Sequence, residues 1–101
     1  MAQKDKVRTY IERYGSISPL EAFEDLGITK LATVIGYLRR EDGLKVYQRF
    51  IKTENRFGET CHYMRYWLDE KKYLKDIEVY KKDKEIELIE KLKISILNIN
   101  T

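Results

Sequence analysis

The sequence predicts an α+β protein in which three short helices precede a β-hairpin and a helical tail. Two helix-start signals, at Ser18 and Thr29, lie eleven residues apart with Gly27 between the helices that they open. After Gly43 the helical period of apolar residues gives way to β-branched and aromatic alternation. From Asp69 onward, strong helix formers and alternating charges return. Each change of pattern marks a boundary between elements.

Length and composition limit the chain to one small globular domain. Its 101 residues are 43% hydrophobic and 37% charged, which is enough for a modest core. No apolar run approaches the roughly 20 residues that span a bilayer, and the N-terminus lacks the apolar centre of a signal peptide. We therefore expect a cytoplasmic protein with no membrane partner.

Metal, cofactor and catalytic sites have little support among the reactive side chains. Cys61 is the sole cysteine and His62 the sole histidine, so neither an internal disulfide nor a zinc site is expected. Adjacent residues on a strand point to opposite faces, which argues against a thiolate–imidazole pair. No carboxylate pair or phosphate loop stands out either. The sequence predicts no metal, no cofactor and no enzymatic activity.

Apolar spacing and capping residues define the first two helices. The first is predicted from about Lys4 to Tyr14, with an apolar stripe formed by Val7, Tyr10, Ile11 and Tyr14. Ser18 can cap the second helix, Pro19 has the φ angle suited to its first position, and Glu21 can complete a capping box. The buried side of the second helix is expected to consist of Leu20, Ala22, Phe23 and Leu26.

The third helix follows a tight connection. Gly27 can take the left-handed conformation that ends a helix and redirects the chain, and Thr29 is predicted to cap the next one. This helix stops near residues 41–43, and its inward stripe is formed by Leu31, Val34, Ile35 and Leu38. Two short helices joined so closely are typical of a helix-turn-helix, whose second helix enters a DNA major groove.

A β-hairpin is predicted after Gly43. The segments "LKVYQRFIK" (44–52) and "CHYMRYWL" (61–68) have strand composition, and "TENRFGET" between them holds the Asn and Gly typical of a turn. The eight-residue connection is expected to project from the body of the domain. Three helices followed by such a hairpin form a winged helix-turn-helix, here over residues 1–68.

Three segments carry a resemblance to known proteins: "GSISPLEAFEDLGITKLATVIGYLRR", "NRFG" and "YMRYWL". The run from about Tyr10 to Leu68 that contains them resembles the helix-turn-helix domain of many short bacteriophage and prophage proteins. The resemblance implies a winged-helix fold that binds double-stranded DNA. It also implies a use in phage gene regulation or DNA transactions, in the cytoplasm of a bacterial host cell.

Candidate DNA contacts fall on the third helix and on the hairpin. The third helix, including its N-terminal end, offers Thr29, Lys30, Thr33, Tyr37, Arg39 and Arg40, and the hairpin offers Lys52, Asn55 and Arg56. Between Ile28 and Leu68 eight basic residues oppose four acidic ones, so attraction for a polyanion is concentrated there. A simpler role for the two arginines is to stabilise the helix end. Phe57 is expected to fold back onto its own strands.

The tail, residues 69–101, is predicted to form one long helix or two shorter ones. A stripe of apolar residues recurs at spacings of three, four and three: Ile89, Leu92, Ile96 and Ile99. The stripe either covers the chain's own small core or pairs with a second copy in a homodimer. We favour the homodimer because the tail exceeds what the winged domain requires.

Three functional hypotheses follow. The first is a sequence-specific DNA-binding protein of phage or mobile-element type, acting as a transcriptional regulator or as an architectural component in recombination or packaging. The second is a small phage-type inhibitor that uses the winged helix to bind a host factor or host defence complex. The third, an enzyme, has the least support. A basic surface that runs unbroken from the third helix to the hairpin tip would favour DNA, and interruption by Glu54 and Glu59 would favour protein.

Overall fold

The computed structural model describes the backbone of residues 1–99 and the side chains of residues 1–90 and of Leu92. Over this range, three helices are followed by an antiparallel hairpin and a long fourth helix. The elements are α1 (Gln3–Tyr14), α2 (Pro19–Leu26), α3 (Leu31–Arg40), β1 (Tyr47–Glu54), β2 (Thr60–Trp67) and α4 (Glu70–Ile99). The predicted α+β arrangement is confirmed. None of the helices described here is long and apolar enough to cross a bilayer.

The hydrophobic core lies between α1, α2 and α3, with Tyr66 of β2 as part of it. From α1 come Val7 and Ile11, which are at most 2% exposed. The predicted inward stripe of α3 is buried throughout: Leu31, Val34, Ile35 and Leu38. Residues outside the helices complete the core, namely Ile17 before α2, Ile28 between α2 and α3, and Tyr66 of β2. Helical spacing therefore predicts the inward side of α3 in full.

Three apolar residues that were predicted to be buried lie in solvent. Tyr14 is 63% exposed, Leu20 64% and Phe23 58%. In the eight-residue α2, Ala22 is fully buried and Leu26, one turn later, packs against the core. Leu20 is about 200° around the helix from Ala22, so it faces the opposite side. A helix this short buries one narrow stripe, and in α2 that stripe contains the small Ala22.

The start of α2 matches its prediction and the start of α3 does not. Ser18 Oγ accepts a hydrogen bond from Glu21 N at 3.3 Å, and Glu21 Oε1 accepts one from Ser18 N at 2.9 Å, which completes the capping box. The N-cap of α3 is Lys30, with no side-chain hydrogen bond, so the prediction of a Thr29 cap is wrong. Gly27, at φ 68°, and Ile28 bond back to carbonyls of α2, so the chain turns one residue later.

The hairpin starts later and its turn is tighter than predicted. Tyr47 lies opposite Trp67 and Glu54 opposite Thr60, which leaves residues 55–59 as the turn. Both strands run further towards the tip than their apolar residues indicate, because backbone pairing does not require burial. Tyr66 also forms a bridge with Ile17, so an extended segment between α1 and α2 borders the sheet.

The two faces of the hairpin pack against different parts of the protein. Met64 and Tyr66 contact the helical core. Residues directly opposite each other share a face, so Phe50 and Gln48 lie on this side, which we call the core-side face. The opposite face carries Tyr47 and Trp67 and is covered by α4. The base of the hairpin is therefore held between the core and α4.

A single helix, α4, forms the tail and is anchored by its first three turns. The ring of Tyr73 lies 5.3 Å from that of Tyr47 and 5.4 Å from that of Trp67. One turn later, Asp76 forms an ion pair with Arg49. From residue 81 to 90 every side chain is exposed. The choice between one helix and two is settled in favour of one, because the polar segment 81–84 lies in solvent and consists of helix-compatible residues.

Replacing Ser18 by Ala should lower the free energy of unfolding by about 1 kcal/mol, because it removes the cap acceptor at a buried helix start. Thr29→Ala is the matched control and should change it by less than about 0.5 kcal/mol, because Thr29 is exposed and caps nothing. Urea unfolding followed by circular dichroism measures both. A loss for Thr29→Ala as large as that for Ser18→Ala would contradict the observed start of α3.

Candidate nucleic-acid interface

The outward face of α3 is polar and open. Opposite the buried stripe lie Thr33, Tyr37 and Arg40, all exposed. The Arg40 guanidinium lies 5.5 Å from the centre of the Tyr37 ring, a cation–π distance. The guanidinium also lies beside Gly36, where a Cβ atom would be in van der Waals contact with Arg40 Nη1 at 3.4 Å. The guanidinium is therefore held along the helix surface with its donors directed at solvent.

The two adjacent arginines at the end of α3 have different surroundings. Arg39 Nη2 donates to the carbonyl oxygen of Val46 at 2.7 Å and to Gln48 Oε1 at 2.9 Å. These bonds join the last turn of α3 to the start of the hairpin. Among the described residues, the interaction of the Arg40 guanidinium is the cation–π contact with Tyr37. Arg39 thus positions the hairpin, and Arg40 is the arginine available to a ligand.

The N-terminal end of α3 adds Thr29 and Lys30, both exposed. Beyond its other end lie two carboxylates, and these are paired. Lys4 Nζ contacts Glu41 Oε2 at 3.0 Å and Asp42 Oδ1 at 2.9 Å. The hydrogen bonds to Asp42 and then Glu41 raise the pKa of Lys4 above its ordinary value. This pairing weakens the repulsion that the two carboxylates would exert on a polyanion at α3.

At the hairpin tip, Asn55 holds the turn. Its Oδ1 accepts hydrogen bonds from Phe57 N at 2.9 Å and from Glu59 N at 3.0 Å. Lys52 and Arg56 are exposed and extend into solvent. The acceptor of Asn55 is thus occupied within the turn, and the two cations are the groups available there.

The expected position of Phe57 is wrong. The side chain is 86% exposed instead of folding back onto its strands. The bonds from Phe57 N and Glu59 N to Asn55 turn the backbone so that the ring points away from the sheet. Exposed Glu54 and Glu59 also flank the tip, so the basic surface is interrupted there.

Sequence reasoning missed two features of the hairpin. Phe50 on the core-side face is 63% exposed, and its ring meets that of His62 edge-on at 6.5 Å. The alternation of Gln48, Phe50 and Lys52 along one face was the available signal. Arg65 is the second feature, since its Nη1 bonds Ser16 Oγ at 2.9 Å and Glu21 Oε1 at 2.8 Å. No local pattern predicts those distant partners.

Internal contacts thus divide the eight basic residues of the middle segment into two groups. Arg39, Arg49 and Arg65 hold elements together. The others are exposed and form no ion pair within the described residues: Lys30, Arg40, Lys45, Lys52 and Arg56. These five lie on or near α3 and the hairpin. Among all residues that the structure describes, no three His, Cys, Asp or Glu side chains lie together as metal ligands would.

A three-helix core, an open polar face on the third helix and a hairpin joined to that helix define a winged helix-turn-helix. The chain belongs to the winged helix-turn-helix domain family, whose sequence profile matches residues 2–71. Domains of this class typically bind DNA and are not enzymes. Comparison with curated proteins and with solved structures gave no match.

Arg39→Ala should lower the free energy of unfolding by about 1 kcal/mol, because the Val46 carbonyl loses a charged donor. Arg40→Ala should change it by less than about 0.5 kcal/mol, since that side chain packs only on an exposed ring. Parallel urea titrations of the two variants test the division between a positioning arginine and an available one. Equal losses would show that both residues support the fold.

Proposed function

We propose that this chain binds double-stranded DNA sequence-specifically, with α3 in the major groove, and acts as a transcriptional regulator. The observation that carries the proposal is the open face of α3, on which Arg40 is oriented by Tyr37. Arginine donates two hydrogen bonds to guanine O6 and N7, and threonine at Thr33 can bond a base edge or contact a thymine methyl group. Four buried side chains fix the rotation of the helix that presents these groups.

Phosphate contacts would surround this reading face. Lys30 is at the start of α3, Lys45 follows its end, and Lys52 and Arg56 lie on the hairpin. Contacts to phosphates place a protein on the duplex without reading its sequence. The resemblance of "GSISPLEAFEDLGITKL" to phage and prophage proteins supports an origin in a phage or mobile element. In that setting the protein acts in the cytoplasm of a bacterial host.

A homodimer through α4 completes the proposal, with residues 1–68 as the DNA-binding domain and 69–101 as the dimerisation arm. Ile89 is 51% and Leu92 55% exposed, so neither side chain covers the chain's own core. The side chains of Ile96 and Ile99, the rest of the predicted stripe, lie outside the described residues. A projecting helix with this much apolar surface gains stability by pairing with a second copy.

A second candidate function, inhibition of a host protein, is favoured by two observations. Leu20 and Phe23 expose apolar surface on α2. The interruption of the basic surface by Glu54 and Glu59 at the hairpin tip also favours a protein partner. Binding to a protein would not show the salt dependence of phosphate contact, and the two functions are separable on that basis.

Duplex affinity should fall steeply with salt. If the five exposed cations each neutralise one phosphate, the slope of log K against log salt should be about −4.5 per chain. On a selected duplex, Arg40→Ala and Thr33→Ala should reduce the preference over random DNA by about 1–3 kcal/mol per lost base contact. Lys52→Ala should weaken both DNAs alike and reduce the slope by about one. Fluorescence anisotropy over a salt series measures all three quantities.

Two outcomes would contradict this function. Affinity that does not change with salt excludes phosphate contact and transfers the proposal to the protein-binding function. Equal losses on selected and random DNA for all three variants would mean that α3 is not the reading element.

The double variant Ile89→Lys with Leu92→Lys should sediment as a folded monomer of about 12 kDa, because it would bury unpaired charge between two chains. The winged domain has a separate core, so its circular dichroism should persist. Affinity for a duplex with two half-sites should fall, while binding to one half-site remains. The control, Asp83→Asn with Glu90→Gln, makes the same change in net charge on the other side of the helix and should stay dimeric. A monomeric wild-type protein at tens of micromolar would overturn the dimer.

A further inference from the structure

The tip of the hairpin presents one aromatic ring from a rigid turn. Phe57 is the most exposed large apolar side chain in the described part of the chain, at 86%. The turn beneath it is closed by Asn55 N donating to Glu59 O at 2.9 Å and by Gly58 N donating to Asn55 O at 3.1 Å. The side chain of Asn55 adds two further bonds. The ring is thus exposed on a turn that is closed by four hydrogen bonds.

Charge at the hairpin tip is mixed. Lys52 and Arg56 lie near Glu54 and Glu59, all four exposed, so the formal charges of this group cancel. The tip as a whole therefore adds little long-range attraction for a polyanion, although its two cations can still contact phosphates. The face of the Phe57 ring is a further group at the tip that can bind a ligand.

A second exposed ring continues the surface towards α3. Phe50 lies on the core-side face, two residues beyond Gln48, which accepts a hydrogen bond from Arg39 of α3. Two residues along a strand span roughly 7 Å, so the Phe50 ring lies close to the end of the reading helix. The His62 ring meets the Phe50 ring edge-on, and Lys52 lies opposite His62 in the paired strands. Exposed aromatic rings and basic side chains thus alternate from α3 to the tip.

Aromatic rings interleaved with cations are typical of surfaces that bind single-stranded nucleic acid, because every base has a face on which a ring can stack. In an intact duplex the bases are stacked on one another and present only their edges. We propose that the hairpin binds unpaired bases. Phe57 stacks on one base, and Phe50 stacks on the part of the same single DNA strand that lies nearer to α3. The ligand is then DNA in which a single-stranded segment adjoins the duplex held by α3. This inference rests on the proposed function.

The test compares two DNAs that differ only in an unpaired arm. One is a blunt duplex carrying the selected site, and the other is the same duplex with an arm of about five unpaired nucleotides on the hairpin side. Stacking of one base is worth about 1–3 kcal/mol, so the full-length protein should prefer the armed DNA about 5- to 100-fold. Phe57→Ala should bring this ratio close to one, Phe57→Trp should retain it, and Phe50→Ala should reduce it.

Phe23→Ala is the matched control, because it removes a similarly exposed ring from α2 and should leave the ratio unchanged. A 2-aminopurine base in the arm should change its fluorescence with the wild-type protein and not with Phe57→Ala. Circular dichroism checks that each variant is folded, which is expected because Phe23, Phe50 and Phe57 are all largely exposed.

The outcomes separate this inference from the function on which it rests. Equal affinity of the wild-type protein for both DNAs overturns base stacking and leaves duplex binding intact. An unchanged ratio in Phe57→Ala, or equal losses on both DNAs, would also overturn it. Failure to bind either DNA would overturn both proposals, and binding of armed DNA with no contribution from Arg40 or Thr33 would overturn the proposed function alone.

Discussion

Burial of the apolar stripe of α3 is the constraint on which the rest of the site depends. Its four inward residues are at most 3% exposed, and each contributes about 1.5–3 kcal/mol through burial. Any rotation of the helix about its axis would expose part of this stripe. The side opposite is therefore fixed as well, and Thr33, Tyr37 and Arg40 share one outward direction. The buried stripe and the groups proposed to read DNA thus lie on the same ten residues.

Arginines join the remaining elements to this helix. Arg39 connects α3 to β1, Arg65 connects β2 to the start of α2, and Arg49 connects β1 to α4. Arg39 and Arg65 each bond two acceptors through one terminal nitrogen, and Arg49 bonds the Asp76 carboxylate through Nη2. Arg40 forms no such bond within the part of the chain that the structure describes, and its side chain lies on the exposed face of α3. Surroundings, and not residue type, separate the structural arginines from the candidate ligand contact.

Local sequence signals predicted the parts of this fold that depend on local physics. The capping box at Ser18, the stripe of α3 and the change to strand period after Gly43 each act within a few residues, and the α+β winged arrangement followed from them. Leu20 and Phe23 were misplaced because a helix of two turns contains too few positions to show which apolar side packs. The buried side of α2 is the one that carries Ala22, and alanine contributes little to a hydrophobic pattern.

The candidate site was less predictable because its contacts span long sequence distances. Arg39 and Arg40 are indistinguishable in sequence, and only the paired strand after the turn gives the first of them a partner. Phe57 was expected to fold back because exposed aromatics are unfavourable in general. Its exposure depends on the Asn55 side chain, which bonds two backbone groups beyond it and sets the direction of the ring. These hydrogen bonds depend on the geometry of the turn, which amino-acid composition does not predict.

The hairpin also connects α3, the proposed reading helix, with α4, the proposed dimerisation arm. One of its faces contacts the helical core and the other contacts α4, so neither the reading helix nor the arm can shift without disturbing the same pair of strands. The stacked rings of Tyr47 and Tyr73 and the Arg49–Asp76 pair fix the direction in which α4 leaves the domain. If two arms pair, the separation of the two α3 helices is then set by packing within each chain, and half-site spacing becomes a property of the monomer fold. A flexible linker would leave that spacing open, whereas an anchored helix restricts it.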